Sequence, residues 1–159
     1  MTEPAADIMD LIMADHRRIR RLREALYDAA RCAGSSGPEW VPAHVWQRCS
    51  DLLVAHFRAE EEVCYLPTAG PGPEPGGWRD AVADHGDIRD AIREASGHRP
   101  GTAPWWRAVT DALTTSMEHL DREENGFLAD GLPSLTPDQR RMLGRQWAVL
   151  TAARLERPT

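Results

Sequence analysis

PWWRAVTDALTTSMEHLDREENGFL, residues 104 to 128, sets Trp105, Val109, Leu113, Ser116, His119, Glu123 and Phe127 three or four positions apart. That spacing is the stripe of an amphipathic helix. It also does something an ordinary core stripe does not, because it carries a histidine and a glutamate on the face meant for burial. On a helix, residues four apart lie about 5–6 Å apart at Cβ, so His119 and Glu123 can address one point. The stretch has a twin. His119-Leu120-Asp121-Arg122-Glu123-Glu124 repeats His56-Phe57-Arg58-Ala59-Glu60-Glu61, and Asp84-His85-Gly86-Asp87-Ile88-Arg89 repeats Asp15-His16-Arg17-Arg18-Ile19-Arg20.

Outward from this stretch the same helical period recurs. Residues 5 to 33 carry Ile8, Leu11, Ile12, His16, Ile19, Leu22 and Leu26 at helical spacing. Residues 42 to 66 carry Val45, Cys49, Leu52, Leu53, His56, Glu60 and Val63, and residues 78 to 96 carry Val82, His85, Ile88, Ile92 and Ala95. A shorter fifth stretch, about 137 to 154, carries Met142, Leu143, Trp147 and Leu150. Thr136 before Pro137 is a helix start signal. Segments 34–38, 68–77, 97–104 and 130–137 are rich in Gly, Pro, Ser or Thr and read as connections, the second of them as a linker without the lysine of a phosphate loop. No stretch alternates with period two. The expected fold is all-α: an antiparallel up-down-up-down four-helix bundle over about residues 5 to 129 with a short additional C-terminal helix, in one domain spanning 1–159.

An antiparallel arrangement makes a testable demand on depth. Across each of the three loops the flanking histidines are nearly equidistant in sequence from the loop centre. The mismatches amount to about 0–6 Å at 1.5 Å rise per residue. His16, His56, His85 and His119 therefore share one layer, with Glu60 and Glu123 beside them. A single histidine on an apolar face is ordinarily a hydrogen-bonded core residue. Six ligand-type side chains at one depth, two of them carboxylates, need a cation to offset their burial. His44, near a helix start, and His98, in the third connection, fall off the layer and are not expected to bind metal.

Four imidazoles and two carboxylates suit iron, zinc, manganese or copper. They exceed the closed tetrahedron of structural zinc. Two ions bridged by Glu60 and Glu123 use the set better, each with two histidines and room for an oxo or hydroxo bridge and an exogenous ligand.

Over about residues 8 to 128 this pattern resembles the hemerythrin-like, or HHE cation-binding, domains. The resemblance implies a non-haem centre of two iron ions, with the four histidines as terminal ligands and the two glutamates bridging. It further implies chemistry with dioxygen or hydrogen peroxide, either peroxide decomposition or oxidation of a small molecule, or else non-catalytic binding of iron or oxygen for sensing or storage. The sequence departs from the oxygen carriers of the family, which have a histidine four residues after the first on the third helix. Here that position is Arg89, matched by Arg20 in the first helix. The departure moves weight from oxygen carriage to redox chemistry. Cys64, Glu61 and Glu124 are possible extra ligands. For Cys64 the commoner role is a small buried apolar group, and for the two glutamates it is support or a solvated face. Tyr65 lies nearby but is rotated off the ligand line. Asp15, Asp84 and Glu118 each precede a ligand histidine, and the solvated face is their expected place, with a contact across helices as the other reading.

The remaining signals exclude more than they add. The 159 residues carry 19 arginines, no lysine and a net charge of -6, which does not suit nucleic acid. Arg17, Arg18, Arg20, Arg21 and Arg23 stand among Asp10, Asp15, Glu24 and Asp28 without interleaved aromatics and read as a solvated face. Three cysteines without framework spacing suit a reduced, cytoplasmic setting, and neither a signal peptide nor a membrane helix is evident. A histidine-dependent hydrolase is not supported. The expected assembly is a monomer or homodimer. Trp46, Trp78, Trp105 and Trp106 lie toward helix starts, away from the histidine layer. Trp147 is read as capping the bundle or packing against a second subunit.

Overall fold

The computed structural model describes residues 6–33, 40–65 and 78–155. The first two expected connections, 34–38 and 68–77, lie outside the described residues, as do residue 5 and Leu66. Within them every regular element is helical. Helix α1 runs Ile8–Ala33 and α2 runs Trp40–Ala59. The chain of α2 then continues as a π-helical turn, Glu60–Tyr65. Helix α3 is Trp78–Ser96 and α4 is Ala103–Asn125. A second π-turn, Phe127–Gly131, and a 3₁₀ turn, Leu132–Ser134, lead into α5, Pro137–Leu155. No helix among the described residues is long and apolar enough to cross a membrane.

The helix starts follow from side-chain capping. Asp7 Oδ1 accepts from the Met9 amide at 3.0 Å, which makes Asp7 the cap of α1. Thr102 accepts from the Trp105 amide and caps α4, with Pro104 in the first turn. Before it, Gly101 takes φ 84, the left-handed conformation that the tight connection from α3 requires. Thr136 and Gln139 form a reciprocal capping box at the start of α5: Thr136 N donates to Gln139 Oε1 at 2.8 Å and Gln139 N to Thr136 Oγ1 at 3.3 Å.

The stripes meet as expected, α1 on α2 and α3 on α4, with α5 against both α1 and α2. Val82 and Met142 are exceptions, since both sit at the exposed margin of their helices. The core falls into two apolar clusters. One gathers Ile19, Leu26, Trp46, Leu53, Trp105 and Leu113, and the other Ile8, Ile12, Val63, Phe127, Leu132 and Trp147. Along α1, α2 and α4 the histidines and glutamates fall between the two. A polar layer with apolar floor and roof is the setting in which charge is expensive to leave unpaired.

Candidate metal centre

The six expected ligands come together, and all are buried, none more than 4% exposed. His16 Nε2 lies 3.2 Å from His56 Nε2, and His85 Nε2 lies 3.0 Å from His119 Nε2. Glu60 reaches both pairs. Its Oε1 is 2.8 Å from His56 Nε2 and 4.0 Å from His16 Nε2, while its Oε2 is 3.3 Å from His85 Nε2. Glu123 Oε2 likewise stands 3.3 Å from His16 Nε2 and 3.8 Å from His119 Nε2. The donor atoms form two groups able to hold a metal ion: His16, His56, Glu60 and Glu123, and Glu60, His85 and His119. Glu60 belongs to both.

The second nitrogen of each ring explains why the first points inward. His16 Nδ1 meets Glu124 at 2.8 Å, His85 Nδ1 meets Glu61 at 2.9 Å, and His119 Nδ1 meets Asp84 at 3.3 Å. A neutral imidazole carries one N–H; a carboxylate beside Nδ1 fixes that proton there and leaves a lone pair on Nε2. His56 is the exception. Asp15 stands 3.5 Å from its Nδ1, beyond hydrogen-bond distance, and that nitrogen has no hydrogen-bond partner among the described residues.

This arrangement fits a pair of cations on its own terms. Both oxygens of Glu60 and Oε2 of Glu123 are buried without a hydrogen-bond partner. The close approach of His56 to Glu60 is therefore not a directed hydrogen bond. Lone pairs facing lone pairs and orphaned carboxylate oxygens repel unless something positive sits between them. The spacing agrees as well, since two nitrogens each about 2.1 Å from one ion and at about a right angle are about 3.0 Å apart. Burial opposes the charge on both glutamates. His56 beside Glu60 holds that carboxyl well below its usual range, and burial together with the Glu60 charge pushes Glu123 up.

Arginines support this set from outside. Arg20 donates to Glu124 at 2.7 Å and to Asp121 at 2.8 Å, Arg89 to Glu61 at 2.9 Å, and Arg122 to Asp84 at 2.6 Å. Burial alone would raise Glu61, Glu124 and Asp84; the histidine and arginine hydrogen bonds outweigh it and hold all three low. Glu61 and Glu124, read from sequence as possible extra ligands, thus face Nδ1 of a histidine and an arginine, outside both donor groups. Asp15 and Asp84 are corrected in the same sense. They turn across to His56 and His119 instead of lying on a solvated face, whereas Glu118 is exposed as expected.

Cys64 is buried outside both donor groups, and burial with the charges of Glu60 and Glu123 holds its thiol well above the ordinary range. A thiol that keeps its proton is a poor ligand. His44 is exposed and His98 lies away from the layer, 4.0 Å from Glu94.

The π-turn corrects the reading of Tyr65. In an α-helix a residue five positions after Glu60 lies about 140° round the axis. Wider winding brings it back toward the same face, and the Tyr65 hydroxyl donates to Glu123 Oε1 at 2.9 Å. The ring is 1% exposed, and burial first, then both glutamates, keeps its proton on. Tyr65 was missed because a π-turn leaves no signature in residue spacing.

The model of one family matches residues 7–130: the hemerythrin HHE cation-binding domain. The chain belongs to this family. No curated protein and no solved structure matches it. As a hemerythrin-like domain it is a binder of metal cations, and two groups of its histidines and glutamates could hold an ion. The arginines of these two repeats gave the missed signal. Arg20 and Arg89 stand four residues after His16 and His85, and Glu61 and Glu124 directly follow the two layer glutamates.

Proposed function

We propose that this hemerythrin-like chain holds two iron ions, with His16, His56, His85 and His119 as terminal ligands and Glu60 and Glu123 bridging, and that it reacts there with hydrogen peroxide or dioxygen. The observation that carries the reading is Glu60, whose two oxygens belong to different donor groups and have no hydrogen-bond partner. The reading takes α1 to α4 as an antiparallel bundle within a single domain. In support, His16 and then Arg20 on α1 meet Glu124 and then Asp121 on α4, one number rising as the other falls.

Two bound irons would supply redox equivalents and Lewis acidity at the centre of the layer. The chain's own contribution is orientation and proton storage. Glu124, Glu61 and Asp84 hold three of the rings in the tautomer that aims Nε2 inward. Tyr65 keeps a proton 2.9 Å from Glu123 Oε1 at the edge of the centre. Nearly complete burial of all six donors keeps bulk water from them and favours a reactant no larger than peroxide or dioxygen over a bulky organic molecule.

The same burial favours one second reading, iron or oxygen binding for sensing or storage without turnover. The two are separated on protein isolated with its metal. Two irons per chain with oxo-bridge charge-transfer bands, and sustained loss of added hydrogen peroxide, establish the catalytic reading. A stable oxygenated spectrum without turnover replaces it with the binding one. Fewer than one metal ion per chain, under any loading condition, overturns both.

A further inference from the structure

The family match ends at residue 130, before α5 begins, yet α5 sets a ring against the centre. Trp147, 3% exposed, stands 5.4 Å from His56 between ring centroids with the planes 75° apart. That is the edge-to-face arrangement aromatic rings prefer. Of the two places considered from sequence, capping the bundle and packing against a second subunit, its burial within its own chain agrees with the first. Two contacts anchor the helix just before this residue. Arg140 Nε donates to Asp7, the cap of α1, at 2.7 Å. Gly144 lies so near the Ala6 carbonyl that an added Cβ would sit 2.1 Å from its oxygen.

The internal repeat shows what α5 takes the place of. In the second half, His119 meets Asp84, and Arg122 clamps Asp84. The matching residues of the first half are His56, Asp15 and, at the position of Arg122, Ala59. Ala59 is buried in the same apolar cluster as Trp147. An arginine at that position would have to be buried where α5 docks. His56 therefore lacks the clamp of its counterpart and is enclosed by rings: Trp147, Phe57 at 5.9 Å and His16 at 5.0 Å.

We infer that Trp147 is a positioning residue for His56, so that α5 sets the affinity of the subsite formed by His16, His56, Glu60 and Glu123 and leaves the subsite of Glu60, His85 and His119 to the Arg122–Asp84 clamp. The symmetric ligand set then has two unequal halves, and loosening α5 releases one ion before the other. This rests on the two-ion reading above.

The test uses the full-length protein stripped of metal and titrated with cobalt(II), whose visible absorption reports each subsite as it fills. Trp147→Ala should weaken one of the two binding steps about 10- to 100-fold, the usual range for outer-shell partners, and leave the other within about twofold. Trp147→Phe, which keeps a ring and a docked helix, should recover most of that loss. Arg122→Gln should weaken the opposite step. In the zinc-loaded protein, long-range nitrogen–proton NMR should show the His56 ring resonances shifting in Trp147→Phe while those of His119 stay fixed. Equal weakening of both steps, or of neither, in Trp147→Ala overturns the inference; Trp147→Leu, which fills the site without a ring, is read in the same way and keeps the test decisive if Trp147→Ala does not fold. Wild-type protein binding fewer than two cobalt ions overturns the two-ion reading instead, a result distinct from any difference among variants.

Discussion

The α1–α2 half of the centre and the α3–α4 half are built from the same phrases, yet they are not held in the same way. Each contributes a first histidine whose Nδ1 crosses to a glutamate of the other half, and that glutamate is gripped by an arginine: His16–Glu124–Arg20 and His85–Glu61–Arg89. The second histidines differ. His119 has Asp84 and Arg122 behind it, whereas His56 has a more distant Asp15, a buried Ala59 and the Trp147 ring. Duplication supplies the donors in matched pairs, and a helix outside the repeat decides how firmly one of them is held. Chemical symmetry in the ligands does not require symmetry in affinity.

The strongest way to break the comparison is to remove what the halves share. Glu60→Ala should abolish both ions together, read by metal analysis, because its oxygens belong to both groups. The metal-free variant should fold at least as well as wild type, since the change deletes a buried carboxylate without a hydrogen-bond partner. Loading an ion to a thousand times its Kd adds about 4 kcal/mol, or about 8–16 °C in Tm for a chain of this size. Wild type should show at least that rise on adding metal and Glu60→Ala none. One ion retained by Glu60→Ala would mean that the halves do not share this bridge.

Next come the arginines that the halves have in common. Arg20→Met and Arg89→Met should each weaken metal binding about 10- to 100-fold, by freeing the carboxylate that fixes a ring tautomer. Each should act mainly on one of the two binding steps, and on different ones. The lysine variants should recover part of the loss, because a point charge replaces the charge of a guanidinium but not its fork. Unchanged affinity in both methionine variants would reduce these residues to surface ion pairs.

These arginines also mark what could be read in advance. The six donors, the helical class, the capping of α5 by Thr136 and the common depth of the histidines were all legible, because each follows from something local in the chain: the period of 3.6 per turn, the rise per residue or the chemistry of a helix start. The residues behind the donors were not. Arg20 looked like a solvated face and Arg89 only like a missing ligand, since spacing along one helix says which way a side chain points but not which neighbouring helix it meets. Asp84 was misjudged for the same reason. Tyr65 was hidden by the π-turn, whose winding changes the period just where the ligand face ends. Trp147 could be read as capping the bundle, but not as meeting His56, because that partner lies 91 residues earlier and the contact exists only once α5 docks.

Protonation of the metal-free protein sharpens the contrast between His56 and His119. Burial opposes charge on both rings. At His56 the charges of Glu60 and Glu123 and the nearby Asp15 outweigh it and push the ring up to about 10, whereas at His119 burial prevails, aided by His85, and the ring falls to about 4. The consequences for stability run in opposite directions from the ordinary value of about 6.5. The His56 contribution is complete below that value and is lost as pH rises toward 10, because the folded state then holds the extra proton. The His119 contribution is present above it and is lost as pH falls toward 4, because the unfolded chain then takes up the proton first. Unfolding of metal-free wild type against His56→Gln across pH 6 to 10 should show the difference between them shrinking. A difference that grows with pH would place the proton elsewhere.

The gentlest change reaches the comparison through α5 alone. Thr136→Ala removes the hydroxyl that receives the Gln139 amide and touches nothing in the centre. Loss of such a cap costs about 1 kcal/mol, a fall of about 2–4 °C in Tm. Its interest lies in how that small loss divides. If α5 serves both halves only by keeping the domain folded, the two ions should leave for a chelator with rates raised equally. With the ring of Trp147 seated on His56 and Arg122 clamping the other half independently, the first subsite opens whenever α5 frays and the second does not. Stopped-flow release into excess chelator should then resolve two phases, of which only one is faster than in wild type. Equal acceleration of both phases would show that the fifth helix stabilises the fold without distinguishing the halves.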